Sequence, residues 1–167
     1  MADLVGVAAI AGLVGVAVVG GSLFAFSTFV MAALARLSEP EGIRAMQHVN
    51  RTVYTPWFMV PFGGTAILSL GLLVLSLLNR DEPWWLEIAS AAALYVGGVF
   101  LVTAVRNVPL NERLARMDAD DPDAAAFWRR YLVVWTRWNH VRVAASVLAL
   151  VQLGRGLAVP AGDGAAV

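Results

Sequence analysis

The sequence predicts an all-α integral membrane protein, a four-helix bundle with a short amphipathic cytoplasmic helix between spans 1 and 2. Two observations lead to this fold class. The 167 residues are 59% hydrophobic and 14% charged, whereas about a quarter of the residues in a soluble domain are charged. The apolar residues also form four long stretches, and a spanning helix needs about 20 of them. We expect one transmembrane domain over residues 1–160 and a flexible C-terminal tail over residues 161–167.

The four spans follow in order along the chain. The first runs from Leu4 to Leu34 without a charge, and its acidic start and length distinguish it from a cleaved secretory signal. The others run from about Thr55 to Leu78, from Trp84 to Val105 and from about Tyr131 to Leu153. Each is long enough to cross the hydrocarbon core of a bilayer.

Two polar segments connect span 1 to span 2 and span 3 to span 4. The first segment, Glu41–Tyr54, is amphipathic at helical spacing, because its polar and apolar residues fall on separate faces. The polar face holds Arg44, Gln47, His48 and Arg51, and the apolar face holds Ile43, Met46 and Val53. The second segment, Asn107–Ala126, contains Asp121-Pro122-Asp123, which is typical of a turn that leads into a helix.

The arginines predict the orientation of the bundle. Three lie between spans 1 and 2, and seven lie between spans 3 and 4 with their flanks. Arg80 and Arg155 belong to the opposite side. The positive-inside rule then predicts a multi-pass protein of the cytoplasmic (inner) membrane with both termini outside.

Composition excludes several classes of site. The chain has no Cys, which excludes disulfides, thiolate metal sites and cysteine nucleophiles. Its formal net charge of zero gives no reason to expect nucleic acid as a partner. A P-loop, a dinucleotide-binding fingerprint and a nucleophile elbow are all absent from the sequence.

Polar side chains gather at the predicted cytoplasmic end, where burying them in lipid would be costly. Some have ordinary structural explanations: serine and threonine hydroxyls bond to their own helix carbonyls, and a surface histidine is usually solvated. Asn111 can cap a helix after Pro109. The group comprises Ser22, Ser27, Thr28, His48, Asn50, Thr103, Arg106, Asn107 and Asn111.

The strongest signal is an aromatic stripe that enters the fourth span. Helical spacing places its members close to one line along the helix, and they are Trp128, Tyr131, Trp135, Trp138 and Arg142. An interfacial aromatic belt would explain two of the tryptophans. It does not explain Asn139, His140 and Arg142 continuing into an apolar span, because such side chains need partners or a wet pocket.

These residues together resemble the anthrone oxygenase-like family of small four-helix membrane proteins. The matching motifs are Gly21-x-x-Phe24-x-Phe26-Ser27, Val30-Met31, Met46-Gln47-x-x-Asn50, Pro61-Phe62, Asn107-Val108-Pro109-Leu110-Asn111 and Trp128-x-x-Tyr131-x-x-x-Trp135-Thr136-x-Trp138-Asn139-His140-x-Arg142. The resemblance implies oxidation of a planar, lipophilic phenolic compound by dioxygen, from an anthrone to an anthraquinone. Such a reaction needs a general base and a group that stabilises an oxyanion.

The resemblance also suggests roles for individual residues. We expect His140 to be the base, with His48 as a second candidate, and Asn139, Asn107 and Arg142 to be oxyanion donors. We expect an aromatic-lined substrate site to contain Trp135, Trp138, Tyr131, Asn50, Asn111, Phe26 and Ser27. The sequence leaves the cofactor open: none, or a metal or haem held by His48 and His140.

A second interpretation is a non-catalytic membrane protein, either a small-molecule binder or an oligomeric structural or transport-accessory subunit. The partners under both interpretations are the lipid bilayer and a lipophilic aromatic molecule. An enclosed pocket that gathers Asn107, Asn139 and His140 would favour an enzyme or a binder. The same side chains facing lipid would favour a homo-oligomer.

Overall fold

The structure, a computed structural model, describes residues 2–159, and side chains from residue 4 onward. Over this range the chain forms five helices and no strand. They are α1, from Ala2 to Leu34; α2, Glu39–Thr52; α3, Pro56–Leu78; α4, Trp85–Ala115; and α5, Pro122–Ala158. All but α2 are long and apolar enough to cross a membrane, which confirms the predicted fold class. The predicted tail, residues 161–167, lies outside the described residues.

Two of the long helices contain π-helical segments, at Phe26–Val30 in α1 and at Leu94–Leu101 and Thr103–Asn107 in α4. A π turn closes with an i→i+5 hydrogen bond and holds more residues than an α turn. In a pure α-helix, each four-residue step would rotate the side chain by about 40°. The wider turns compensate for this rotation, so Tyr95 and Asn107 both stay buried although twelve residues separate them.

The short helix α2 begins at a local hydrogen-bonded cap. The backbone N–H and the hydroxyl of Ser38 both donate to the Glu41 carboxylate, at 3.1 and 2.5 Å. These hydrogen bonds, assisted by the charge of Arg44, hold the pKa of Glu41 below its ordinary value. The start of α5 is capped as the Asp-Pro-Asp pattern predicts, since the Asp121 side chain accepts a hydrogen bond from the Asp123 N–H.

Helix α2 lies across one end of the bundle, which we call the α2 end. Its buried face carries Ile43 and Met46, and its polar face is exposed. The Gln47 amide donates to the carbonyls of Leu114 and Met117, and Arg44 pairs with Asp120. An amphipathic helix between spans 1 and 2 is therefore present, and its cytoplasmic side remains a prediction.

Small residues mark the closest helix contacts, as is common where helices pack in lipid. A side chain added at Gly15 would collide with Thr65 of α3, and one added at Gly98 would collide with Ala145 of α5. The outer surface is apolar instead of charged. Its exposed members include Val7, Ile10, Val14, Ile67, Val74 and Val151.

Candidate functional site

A pocket of about 460 Å³ lies at the α2 end. This volume is within the range of pockets that hold small molecules. All five helices contribute to its walls, which are predominantly apolar and aromatic. The apolar lining includes Leu23, Phe26, Met46, Val49, Phe58, Met59, Phe62 and Trp135.

The charged group in this lining is Arg142, whose side chain is only 4% exposed. Its Nη1 donates to Thr103 Oγ1 at 3.1 Å, and its Nη2 donates to Asn139 Oδ1 at 2.7 Å. Its guanidinium carbon lies 5.1 Å from the centre of the Trp135 ring. Among the described residues, Nε has no hydrogen-bond partner and the guanidinium has no carboxylate partner. A buried cation without an anion beside it is costly, so an anionic group in the pocket would be stabilised.

Two asparagines add further hydrogen-bond donors. Asn50 is 9% exposed, and its Nδ2 has no hydrogen-bond partner in the described part of the chain. Asn111 Oδ1 accepts from the Tyr131 hydroxyl at 2.7 Å and from Trp135 Nε1 at 2.8 Å. Because an indole N–H can only donate, the Asn111 atom that faces it is the carbonyl oxygen. The amide NH₂ of Asn111 is therefore the group left for the pocket.

Asn139 is fully buried and lies directly behind Arg142. Its Nδ2 donates to the Leu23 carbonyl at 2.8 Å and to Ser27 Oγ at 2.6 Å, while its Oδ1 accepts from Arg142. All of its hydrogen-bonding atoms are thus used to join α5 to α1 and to position the guanidinium. His140, the next residue, is exposed, and its Nδ1 lies 3.0 Å from Ser27 Oγ.

The remaining candidates lie around the pocket without lining it. Asn107 is buried and donates to the Trp135 carbonyl at 3.2 Å, which ties α4 to α5. The Tyr131 ring stacks with those of Trp128 and Trp135. Trp138 is half-buried beneath Arg106, at 4.7 Å.

The structure thus sorts the predicted site residues into three positions. Those in the pocket wall are Phe26, Asn50, Asn111, Trp135 and Arg142. Those that support the wall from behind are Ser27, Asn107, Tyr131 and Asn139. Those outside the pocket are His48, Trp138 and His140.

Sequence reasoning missed several residues of the wall. Thr103 stood out as a polar residue in an apolar span, but its role in holding Arg142 was not apparent. Phe58, Met59 and Phe62 form the α3 wall, and only the Pro61-Phe62 pair drew attention to this part of the span. Aromatic residues in an apolar span give no sign of which face meets a pocket, because the lipid-facing side is apolar too.

The two histidines occupy separate settings. His48 Nδ1 lies 3.3 Å from Arg51 on α2, whereas His140 contacts Ser27. Over residues 4–159, no three His, Asp or Glu side chains cluster in a way that could hold a metal ion. The pocket wall instead contains Asn50 of α2, Asn111 of α4 and Arg142 of α5, whose side chains carry hydrogen-bond donors.

A comparison with known families adds to this geometry. The family model described as anthrone oxygenase matches residues 51–152, from the end of α2 into α5. No curated protein and no solved structure matches the chain. The matched stretch contains Asn107, Asn111, Trp135 and Arg142, and it covers more than half of the 167 residues. The chain therefore belongs to the anthrone oxygenase family.

Proposed function

We propose that this protein is a membrane-embedded oxygenase that acts on a planar, lipophilic phenolic substrate of the anthrone type. The observation that carries the proposal is the pocket itself. Its wall is mainly aromatic and apolar, and its polar residues include Arg142, Asn50 and Asn111, whose side chains carry hydrogen-bond donors. A flat aromatic molecule fits the apolar wall, and an oxygen that becomes negatively charged fits the donors.

The reaction converts a ring methylene and dioxygen into a carbonyl and water. Loss of a proton from the methylene leaves an anion whose charge is delocalised onto the ring oxygen. The electron pair of this anion forms the new carbon–oxygen bond to dioxygen, which is reduced to a peroxide. The peroxide anion takes back one proton, and loss of water with the remaining hydrogen on the carbon and cleavage of the oxygen–oxygen bond then forms the carbonyl. Donors placed around the ring oxygen in a dry pocket stabilise the anion and so lower the barrier to proton loss.

Arg142 is the main oxyanion donor in this mechanism, assisted by Asn50. Asn139 and Thr103 are positioning residues, because they hold the guanidinium through Nη2 and Nη1. The described residues of the wall include no carboxylate and no imidazole, so in this mechanism a water molecule held in the pocket takes the methylene proton. His140 reaches this network from outside through Ser27, and a substitution of its own tests its role as a base.

The test is oxygen consumption by the purified protein in lipid nanodiscs with a model anthrone, followed by the absorbance of the anthraquinone formed. Replacing Arg142→Gln should lower kcat by about 100-fold, as expected for the loss of one oxyanion donor. Arg106→Gln is the matched control, since Arg106 lies outside the pocket wall over Trp138. Binding of the anthraquinone product, measured by tryptophan fluorescence, checks that each variant keeps its pocket.

Undiminished turnover in the Arg142→Gln variant would contradict the proposal. His140→Gln separates two roles for the histidine: a direct base would lose turnover as severely as Arg142→Gln, whereas a network residue would lose little. A wild-type protein that binds the quinone but consumes no oxygen would be a small-molecule binder, the alternative that the same pocket supports.

A further inference from the structure

The route by which a ligand reaches the pocket follows from which parts of its wall are exposed. Leu23, Met46, Phe62 and Arg142 are buried, whereas Met59 is 37% exposed. Tyr54 and Thr52 are also exposed, and all three of these exposed residues belong to the wall. The pocket therefore opens where α2 meets the start of α3.

Helix α2 covers the pocket at the α2 end of the bundle. Met46, Val49 and Asn50 form its inner face and part of the wall. Its outer face is polar and exposed, with Arg44 paired to Asp120. The Gln47 amide fastens the helix to the end of α4 through two hydrogen bonds of 2.9 and 3.0 Å. A ligand coming from water along the bundle axis would have to displace this helix.

The surface on the α3 side of the opening is apolar, since Trp57 is 90% exposed and Val60 is 67% exposed. Exposed tryptophan and tyrosine are typical of the boundary between lipid tails and head groups. On this side the opening is thus bordered by side chains that suit lipid, whereas the exposed Thr52 borders it on the α2 side.

We propose that the pocket takes its ligand sideways from the bilayer, through a mouth formed by Tyr54 and Met59, while α2 seals the pocket toward water. The occupant is a planar lipophilic aromatic molecule dissolved in the membrane. The inference rests on the proposed function for the kind of ligand, and it adds the path and the residues that gate it. It also explains why α2 is amphipathic: one face completes the pocket and the other faces water.

The experiment measures uptake of anthraquinone, which does not consume oxygen, by the full-length protein in lipid vesicles. Stopped-flow quenching of tryptophan fluorescence gives the rate. Met59→Trp places a bulky ring in the mouth, and Val60→Trp places the same ring on the neighbouring lipid-facing position, outside the pocket wall. Both variants carry the same number of tryptophans. We expect Met59→Trp to slow uptake by about tenfold, a barrier increase of about 1.4 kcal/mol, and Val60→Trp to match the wild type.

A second measurement uses anthraquinone attached to a phospholipid acyl chain, a probe that stays in the bilayer. Entry from the bilayer predicts that this probe still quenches the wild type and that Met59→Trp slows it relative to Val60→Trp. Equal rates in the Met59→Trp and Val60→Trp variants, or a lipid-attached probe that fails to quench where free anthraquinone does, would overturn the lateral mouth alone. A wild-type protein that takes up no anthraquinone would overturn the mouth and the proposed function together. Met59→Ala, which opens the mouth, should be at least as fast as the wild type.

Discussion

At the scale of single residues, the setting of Arg142 shows how a charge is kept inside a membrane protein. Two neutral oxygens, from Thr103 and Asn139, accept from its Nη atoms, and the Trp135 ring faces the cation. These contacts satisfy the outer nitrogens, while Nε remains without a partner in residues 4–159. A charge held by neutral partners keeps its attraction for an incoming anion, whereas a carboxylate partner would cancel it.

Asn111 gives the first residue-scale prediction. Its Oδ1 accepts from both Tyr131 and Trp135, so Asn111→Leu would leave two donors without an acceptor. Each unsatisfied buried donor costs about 1–3 kcal/mol. We expect a clear loss of thermal stability in detergent, together with a change in tryptophan fluorescence.

Asn111→Asp is the matched control, because a carboxylate oxygen can still accept from both donors. It should recover most of the stability lost in Asn111→Leu. If the two variants melted at the same temperature, the paired hydrogen bonds would not be what Asn111 contributes.

At the scale of elements, α4 shows why the π-helical segments matter. They bring Thr103 and Asn107 toward α5 and Tyr95 toward α3. The Tyr95 hydroxyl donates to the Phe62 carbonyl at 3.1 Å, and Thr103 and Asn107 both contact α5. Gly98 lies within the same segment and lets the two helices approach closely. The pocket wall therefore depends on a helix contact more than one turn away from it.

This contact gives an element-scale prediction. A methyl group added by Gly98→Ala would collide with the Ala145 side chain, whereas one added by Gly97→Ala meets no atom within 4 Å. Overpacking of this kind costs about 1–3 kcal/mol. We expect Gly98→Ala to lower the unfolding temperature and to weaken anthraquinone binding, since α4 would move away from α5.

The neighbouring Gly97→Ala variant controls for the change in helix propensity, because both substitutions replace a helical glycine by alanine. It should unfold at or above the wild-type temperature. Equal destabilisation by the two substitutions would assign the effect to the backbone and not to the contact with α5.

At the scale of the whole molecule, the orientation of the bundle decides on which side of the membrane α2 covers the pocket. The arginine distribution predicts that the α2 end is cytoplasmic. The chain contains no Cys, so a single introduced cysteine is the only thiol that a reagent can label. Its labelling therefore shows on which side of the membrane that residue lies. Asp118, between α4 and α5, and Asp81, between α3 and α4, are both exposed loop residues at opposite ends.

We therefore predict opposite labelling by a thiol reagent that does not cross membranes. Asp81→Cys should react in intact cells, and Asp118→Cys should react only in inverted vesicles or after permeabilisation. Oxygen consumption with the model anthrone checks that both variants remain active. The reverse labelling pattern would show that the bundle has the opposite orientation in the membrane. Helix α2 would then cover the pocket on the outer side.

The sequence by itself determined the number of spans and their approximate positions, because a chain in lipid must satisfy its backbone within helices. It did not give their full extent, since α4 continues past Val105 to Ala115 and α5 already begins at Pro122. It also determined that α2 is amphipathic, since the helical period alone separates Ile43 and Met46 from Arg44 and His48. The resemblance of its motifs to the anthrone oxygenase family was confirmed by the match over residues 51–152.

Only the tertiary structure decided which polar residues share the pocket. Asn139 and His140 are neighbours in the sequence, yet one is buried behind Arg142 and the other is exposed. Helical spacing gives the angle between two side chains on one helix, but it does not show which face meets another helix. Asn50, Asn111 and Arg142 come from three helices, and their convergence depends on close contacts such as Gly98 with Ala145 and on the π turns of α4. Packing between helices sets these positions, and it has no period that can be read along the chain.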